Sequence, residues 1–178
     1  MLNELVKIHQ SSIPKSRFSS LPISVRRHIY VNFIANPFSK IYIARANDTK
    51  ELIGAILIQD FQTAGRQSHS MSYLKFAPFI LASAIRHPVI WSYQTFAETR
   101  LISLCRKSIY ISAIYVSESH QGNGVGSSLI QRVKLEYPLA KFTVMTESEN
   151  KHALNFYLCN RWKVEARYKK TILLSLEV

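Results

Sequence analysis

Apolar residues recur along this chain with two distinct periods. Leu2, Leu5, Val6 and Ile8 follow a helical spacing over residues 2–12. Ile23, Val25, Ile29, Val31, Phe33 and Ile34 predict a second helix over 22–36, opened by Pro22 and stopped by Pro37. The pattern then shifts to β character. IYIA (41–44) and LIGAILI (52–58) read as a hairpin turned by Asn47-Asp48, with Gly54 marking a bulge or a close backbone approach. Residues 61–70 read as polar loop, and 72–86 and 88–105 as two apolar helices parted by His87-Pro88. Beyond Lys107, SIYISAIYV (108–116) is a strong strand followed by the polar loop SESHQGNG. Val125, Leu129, Ile130 and Val133 start a helix that Pro138 ends. FTVMT (142–146) is a strand, a helix begins near Asn150, and 162–168 and 171–176 close the chain as strands.

Composition narrows the class. A chain of 178 residues, 47% hydrophobic and 19% charged, suits one compact domain with a sizeable core. The apolar stretch from Phe76 to Ile85 falls far short of the ~20 residues that span a bilayer. No signal-peptide core is visible, because Glu4, Lys7 and His9 interrupt the first apolar stretch. Cys105 and Cys159 form no CxxC pair, which excludes a disulfide framework and a cysteine-rich zinc site and suits a reducing, cytoplasmic setting. The formal charge of +12 calls for a polyanionic partner: nucleic acid, an anionic membrane or a phosphate-rich ligand.

The candidate chemistry lies in Gln121-Gly122-Asn123-Gly124-Val125-Gly126, at a strand-to-helix junction. Glycines there let backbone N–H groups converge on an anion, and the helix start adds a favourable partial charge. A dinucleotide-binding loop fits poorly. Five residues separate Val116 from the first glycine, and Ser127 stands at the third glycine position, although Glu147 follows the next strand as that fingerprint expects. A phosphate loop of the Gly-Lys-Ser/Thr type is absent. A plain connection remains the bland alternative.

Two motifs in order decide the reading. Val116 followed by Gln121-x-x-Gly124-x-Gly126 resembles the acyl-CoA pyrophosphate loop of GNAT-superfamily N-acetyltransferases. Asn150-x-x-Ala153-x-x-Phe156-Tyr157, then Arg161-Trp162 and a strand, resembles that superfamily's second conserved stretch. The resemblance covers residues 109–170 well and 38–58 plausibly. It implies a mixed α+β fold: a mostly antiparallel, twisted central sheet with one splayed strand pair and flanking helices. Two departures are expected. The chain opens in helical spacing, so either the usual first strand is lacking or the natural start lies upstream. Residues 61–107 form a helical insertion within a single domain, 1–178.

The resemblance also implies roles. The backbone of Ile114, Tyr115 and Val116 would pair with the pantetheine arm of acetyl-CoA. The amides of Gly122, Gly124, Gly126 and Ser127 would cradle the pyrophosphate, within a binding set that also holds Gln121, Asn123, Val125 and Phe156. Asn150 would touch the pantetheine or cap its helix. Tyr157 would protonate the departing thiolate, a step that suits a phenol. Many relatives carry a glutamate where Tyr110 stands, so the general base is open among Tyr110, Glu98, Ser112 and Glu118. His120 and His152 read as structural and solvated.

The implied activity is acetyl transfer from acetyl-CoA to a primary amine, with no metal. The basic charge and the inserted helices point to a small anionic acceptor, such as a nucleotide-linked amino sugar. Six basic residues and the aromatics Phe76, Phe79, Trp91, Tyr93 and Phe96 in the insertion are expected partly to wall the acceptor pocket and partly to pack as core. Acetylation of aminoacyl-tRNA, which would make nucleic acid a partner, and a non-catalytic acyl-CoA-binding module are the alternatives.

Overall fold

The computed structural model describes residues 1–14, 16, 18–64 and 77–177. Two helices, α1 (Leu2–Ser12) and α2 (Ile23–Ala35), precede the hairpin β1 (Ser39–Arg45) and β2 (Leu52–Asp60). The insertion holds α3 (Phe61–Ala64), α4 (Ala77–Arg86) and α5 (Pro88–Leu101), followed by a 3₁₀ turn at Ile102–Cys105. The second half runs β3 (Ile109–Val116), a 3₁₀ turn at Glu118–His120, α6 (Val125–Glu136), β4 (Lys141–Glu147), α7 (Lys151–Cys159), β5 (Lys163–Tyr168) and β6 (Thr171–Glu177).

Six strands form one open sheet in the order β1-β2-β3-β4-β6-β5. Every neighbouring pair is antiparallel except β3 and β4. The expected mixed architecture, mostly antiparallel and flanked by helices, is what the chain forms. The central strands are buried on both faces, and alternation sorts their side chains. Ile56 and Ile58 of β2 join Ile109, Ile111, Leu129, Val133 and Tyr157 in the core beneath α6 and α7. Ala55 and Leu57 face the other way, into a core built with Leu5, Val6, Tyr30, Phe33 and Tyr115 under α1 and α2.

The hairpin keeps its register until Ala44 opposite Gly54, where one residue is skipped. A β-carbon on Gly54 would stand 3.1 Å from the Tyr115 carbonyl and 3.2 Å from the Val125 side chain. Close approach, not a left-handed backbone, is what favours glycine there.

Two readings of the sequence are corrected, and one lies beyond the described residues. Residues 61–64 are a helical turn rather than loop, because Asp60 accepts hydrogen bonds from the amides of Gln62 and Thr63 (both 3.0 Å) and Phe61 is buried. Residues 65–76, and with them Phe76 and the first turn expected for the helix at 72–86, lie outside the described residues. The second inserted helix stops at Leu101 and tightens into the 3₁₀ turn, which buries Cys105. Leu101, Cys105 and Phe61 pack on Leu173 of β6, so this part of the insertion is core, on the face opposite α6 and α7.

Candidate functional site

The strands β3 and β4 run parallel, but only Ile109, Tyr110 and Ile111 pair, with Phe142, Thr143 and Val144. Past that point they part. On its other side β3 stays paired with β2 up to Val116, with a bulge at Ser112 that strengthens the local twist. The amide of Ser117 donates to the Ile53 carbonyl (2.8 Å), which makes Gly54 and Val116 a non-hydrogen-bonded pair. Antiparallel alternation then fixes the backbone directions. Tyr115 turns its N–H and C=O toward β2. Ile114 and Val116 turn theirs toward the opening. Of the three residues expected to offer backbone groups, two face the gap and Tyr115 does not.

The Val116 carbonyl already accepts two side-chain hydrogen bonds, from Ser12 Oγ and from Gln121 Nε2, each 3.1 Å. Gln121 therefore folds back onto β3 instead of reaching into the loop's mouth. Ser12, at the end of α1, is a site neighbour that the sequence reading missed; nothing local marks it, because it lies 104 residues away in sequence.

Gly122 and Gly124 adopt left-handed φ of 78° and 77°. A β-carbon at either would meet nothing within 4 Å, so the backbone conformation and not crowding demands glycine. Gly124 caps α6 without a side chain, and its carbonyl accepts from the Ser128 amide (2.9 Å). The amides of Val125, Gly126 and Ser127 are thus the unpaired first turn of a twelve-residue helix, pointing out of its positive end. Their side chains do other work. Val125 packs into the core over Gly54. Gly126 leaves room for Phe156. Ser127 Oγ donates to Asn160 Oδ1 (3.1 Å), while Asn160 Nδ2 holds the Phe156 carbonyl (2.8 Å). Asn160 thereby ties the start of α6 to the end of α7, a role that no motif announced. Asn123 borders a separate hollow of about 550 Å³ together with Tyr42, Ser128 and Arg132.

Asn150 is a helix cap: its Oδ1 accepts from the Ala153 amide at 3.1 Å. Tyr157 is buried, its ring set edge-on between Phe156 and Trp162, each with centroid 5.3 Å away. Its hydroxyl has no hydrogen-bond partner among the described residues. Burial holds its pKa well above the ordinary tyrosine value, so the phenol stays protonated at neutral pH.

The base candidates scatter. Tyr110 sits in the closed part of the β3–β4 pair, with its ring stacked on Phe61 at 5.4 Å. Ser112 Oγ donates to Gln59 Oε1 (3.0 Å) on the exposed surface. Glu118 is exposed in the 3₁₀ turn. The side chains of Glu98 and Tyr93 lie outside the described ones. His120 Nδ1 is held by Ser117 and Ser119 (both 2.9 Å), and His152 is exposed. Phe79 and Phe96 of the insertion are exposed, at 48% and 61%. No group of three or more metal-ligating side chains is present among the described residues.

The model of the acetyltransferase (GNAT) family matches residues 3–160. Solved structures share the fold at low identity. An acetyltransferase from Thermus thermophilus superposes with TM-score 0.64 at 9% identity, covering 99% of this chain and 90% of that one. The PaiA N-acetyltransferase from Thermoplasma acidophilum, in complex with coenzyme A, gives 0.61 at 11%, covering 99% and 92%. The ribosomal-protein-S18-alanine N-acetyltransferase from Escherichia coli gives 0.57 at 10%, covering 99% and 87%. No curated protein matches the sequence.

Proposed function

The chain belongs to the acetyltransferase (GNAT) family, and on that premise we propose that it moves an acetyl group from acetyl-CoA to the primary amine of a small anionic acceptor. The observation that carries this reading is the opening between β3 and β4, with the α6 amides at its end. An extended, amide-bearing arm fits the gap, where Ile114 and the Val116 N–H offer strand-like partners. A diphosphate fits the first turn of α6, where three orphan donors and the helix dipole favour negative charge. When bound, acetyl-CoA supplies an activated acetyl thioester.

The chain's own residues then have separable tasks. The β3 backbone orients the thioester and offers hydrogen-bond donors to its carbonyl oxygen as charge develops there. The neutral amine attacks the carbonyl carbon, the C–S bond breaks, and Tyr157 gives its proton to the leaving sulfur; the new C–N nitrogen releases its extra proton to water, and the tyrosinate takes one back from water. An acceptor amine arrives protonated in water and must shed a proton first. Tyr110, Ser112 and Glu118 stand at different places along β3 and its exit, so bulk water reached through the opening takes that proton in this reading. The charge of +12 favours an acceptor carrying phosphate or carboxylate over a bare polyamine.

The test has two arms. Calorimetry with coenzyme A on the intact chain and on Gly124→Val examines the binding half. Incubation with isotope-labelled acetyl-CoA and a panel of amines, including nucleotide-linked amino sugars, amino acids and polyamines, examines the acceptor half by mass spectrometry. Labelled product only from cationic polyamines would overturn the anionic-acceptor reading, and unchanged affinity in folded Gly124→Val would overturn the loop assignment.

A further inference from the structure

Helix α4 carries apolar side chains on its outer face as well as its inner one. Pro78, Leu81, Ala82 and Ile85 recur at i, i+3, i+4 and i+7, the spacing of one helical stripe, and all four are exposed. Leu81 and Ile85 are 62% and 70% exposed. The buried position of the same helix is a serine: Ser83 is 4% exposed, bonded to Ser20 Oγ at 2.8 Å and accepting from Trp91 Nε1 at 3.0 Å. A helix stable against a water-facing surface puts its apolar stripe inward and its polar positions outward. Here the hydrogen bonds of Ser83, beside half-buried Ile80 and Ala84, hold the inner side, while Leu81 and Ile85 project away from the domain.

The stripe does not end at α4. Phe79 and Arg86 border a hollow of about 380 Å³, across which lie Leu21 and Pro22 at the start of α2. Ile23 on α2 is 52% exposed and is followed one turn later by exposed Arg27. Two exposed arginines flank these apolar side chains, Arg86 at the end of α4 and Arg27 on α2. The whole chain carries 23 lysines and arginines against 11 acids. Among the described residues no helix is long and apolar enough to cross a membrane.

We propose that this face, the outward stripe of α4 with the start of α2, docks on the surface of a lipid bilayer that carries anionic headgroups. An interfacial helix buries its apolar side chains at the boundary between headgroups and acyl chains while arginines at its edge meet lipid phosphates. The pattern of Leu81, Ile85 and Phe79 flanked by Arg27 and Arg86 meets both requirements. A second copy of the chain would bring the same two arginines against their own copies, so charge favours the anionic lipid as occupant.

Vesicle flotation of the intact chain tests the proposal, with phosphatidylcholine vesicles alone and with about 30% phosphatidylglycerol, at about 0.1 M salt. The chain is expected to float with the anionic vesicles and to remain in solution with the neutral ones. The double variant Leu81→Gln/Ile85→Gln removes two side chains from the stripe without touching a buried contact. It is expected to partition about tenfold or more weakly, with coenzyme A affinity and melting temperature unchanged. A separate variant, Ile85→Trp, reports depth directly, through a blue shift of its emission on adding anionic vesicles. Absence of flotation, or flotation that the double variant leaves unchanged, overturns the proposal. So does sedimentation velocity showing a dimer that the double variant converts to monomer without any vesicle binding, because a second copy then covers the face.

Discussion

Phe156 occupies the space where a β-carbon of Gly126 would stand, its ring carbons 3.1 and 3.2 Å from that position. This contact seats the first turn of α6 against α7, and the Ser127–Asn160 hydrogen bond fixes the same junction from the other side. Phe156 is itself held edge-on by Tyr157, so it has little room to retreat. Gly126→Ala gains helix propensity of up to about 1 kcal/mol but overpacks this junction. We expect a net loss of roughly 1 kcal/mol together with weaker coenzyme A binding. In a double-mutant cycle with Phe156→Leu the loss should largely vanish, giving a coupling energy of about 1 kcal/mol by urea denaturation. Strictly additive effects would show that the two positions do not compete for space.

Tyr157→Phe separates catalysis from folding. The hydroxyl has no partner among the described residues, so its removal should leave the melting temperature unchanged or slightly higher. Loss of the proton donor should lower kcat by about 10²- to 10⁴-fold with little change in the affinity for acetyl-CoA. Near-normal kcat, with chemistry shown to be rate-limiting, would take Tyr157 out of the mechanism.

Arg161 holds a φ of 65° just past the end of α7, on an exposed position. Its amide donates to the Leu158 carbonyl (3.1 Å), and the next amide, of Trp162, returns to Tyr157 (3.1 Å). A left-handed residue in this place is normally glycine, since a β-carbon is strained there. Arg161→Gly should stabilise the chain by about 1 kcal/mol in thermal or urea unfolding, with Arg161→Asn intermediate. Destabilisation by Arg161→Gly would mean that the arginine side chain makes a contact worth more than the strain.

His9 is buried between the rings of Phe18 and Tyr115, with centroids 4.1 and 4.8 Å away. Its Nδ1 is hydrogen-bonded to Tyr30 (2.9 Å), whose hydroxyl meets that of Tyr115 at 2.6 Å. Burial, and then the nearby Arg26 charge, hold its pKa down to about 4. The folded state therefore binds fewer protons than the unfolded chain below the ordinary histidine value. This contribution is fully present above about pH 6.5 and is lost as pH falls toward about 4, on the order of 3 kcal/mol in all. Urea midpoints measured from neutral pH down to about pH 4.5 should fall in the wild type and fall less steeply in His9→Gln. Equal slopes would assign the acid sensitivity to other groups.

The sequence by itself determined the elements and the place of the chemistry. Period-2 and helical spacing set the strands and most helices, because side chains that must reach a core repeat with the geometry of the backbone that carries them. Gly122 and Gly124 were legible because only glycine takes a left-handed φ freely, and Asn150 because an amide at a helix start has no internal partner. What the tertiary structure decided lies in contacts between residues far apart in sequence, which leave no local period. Ser12 reaches Val116 across 104 residues, and Ser127 reaches Asn160 across 33. The parting of β3 from β4 after Val144 comes where β3 bulges at Ser112 against β2, a feature of strand pairing that no local period announces. The apolar count of α4 read as a helix seeking a core. Only the packed fold turned Ser83 inward and left Leu81 and Ile85 facing out, because two hydrogen bonds from Ser20 and Trp91 anchor the polar side of that helix.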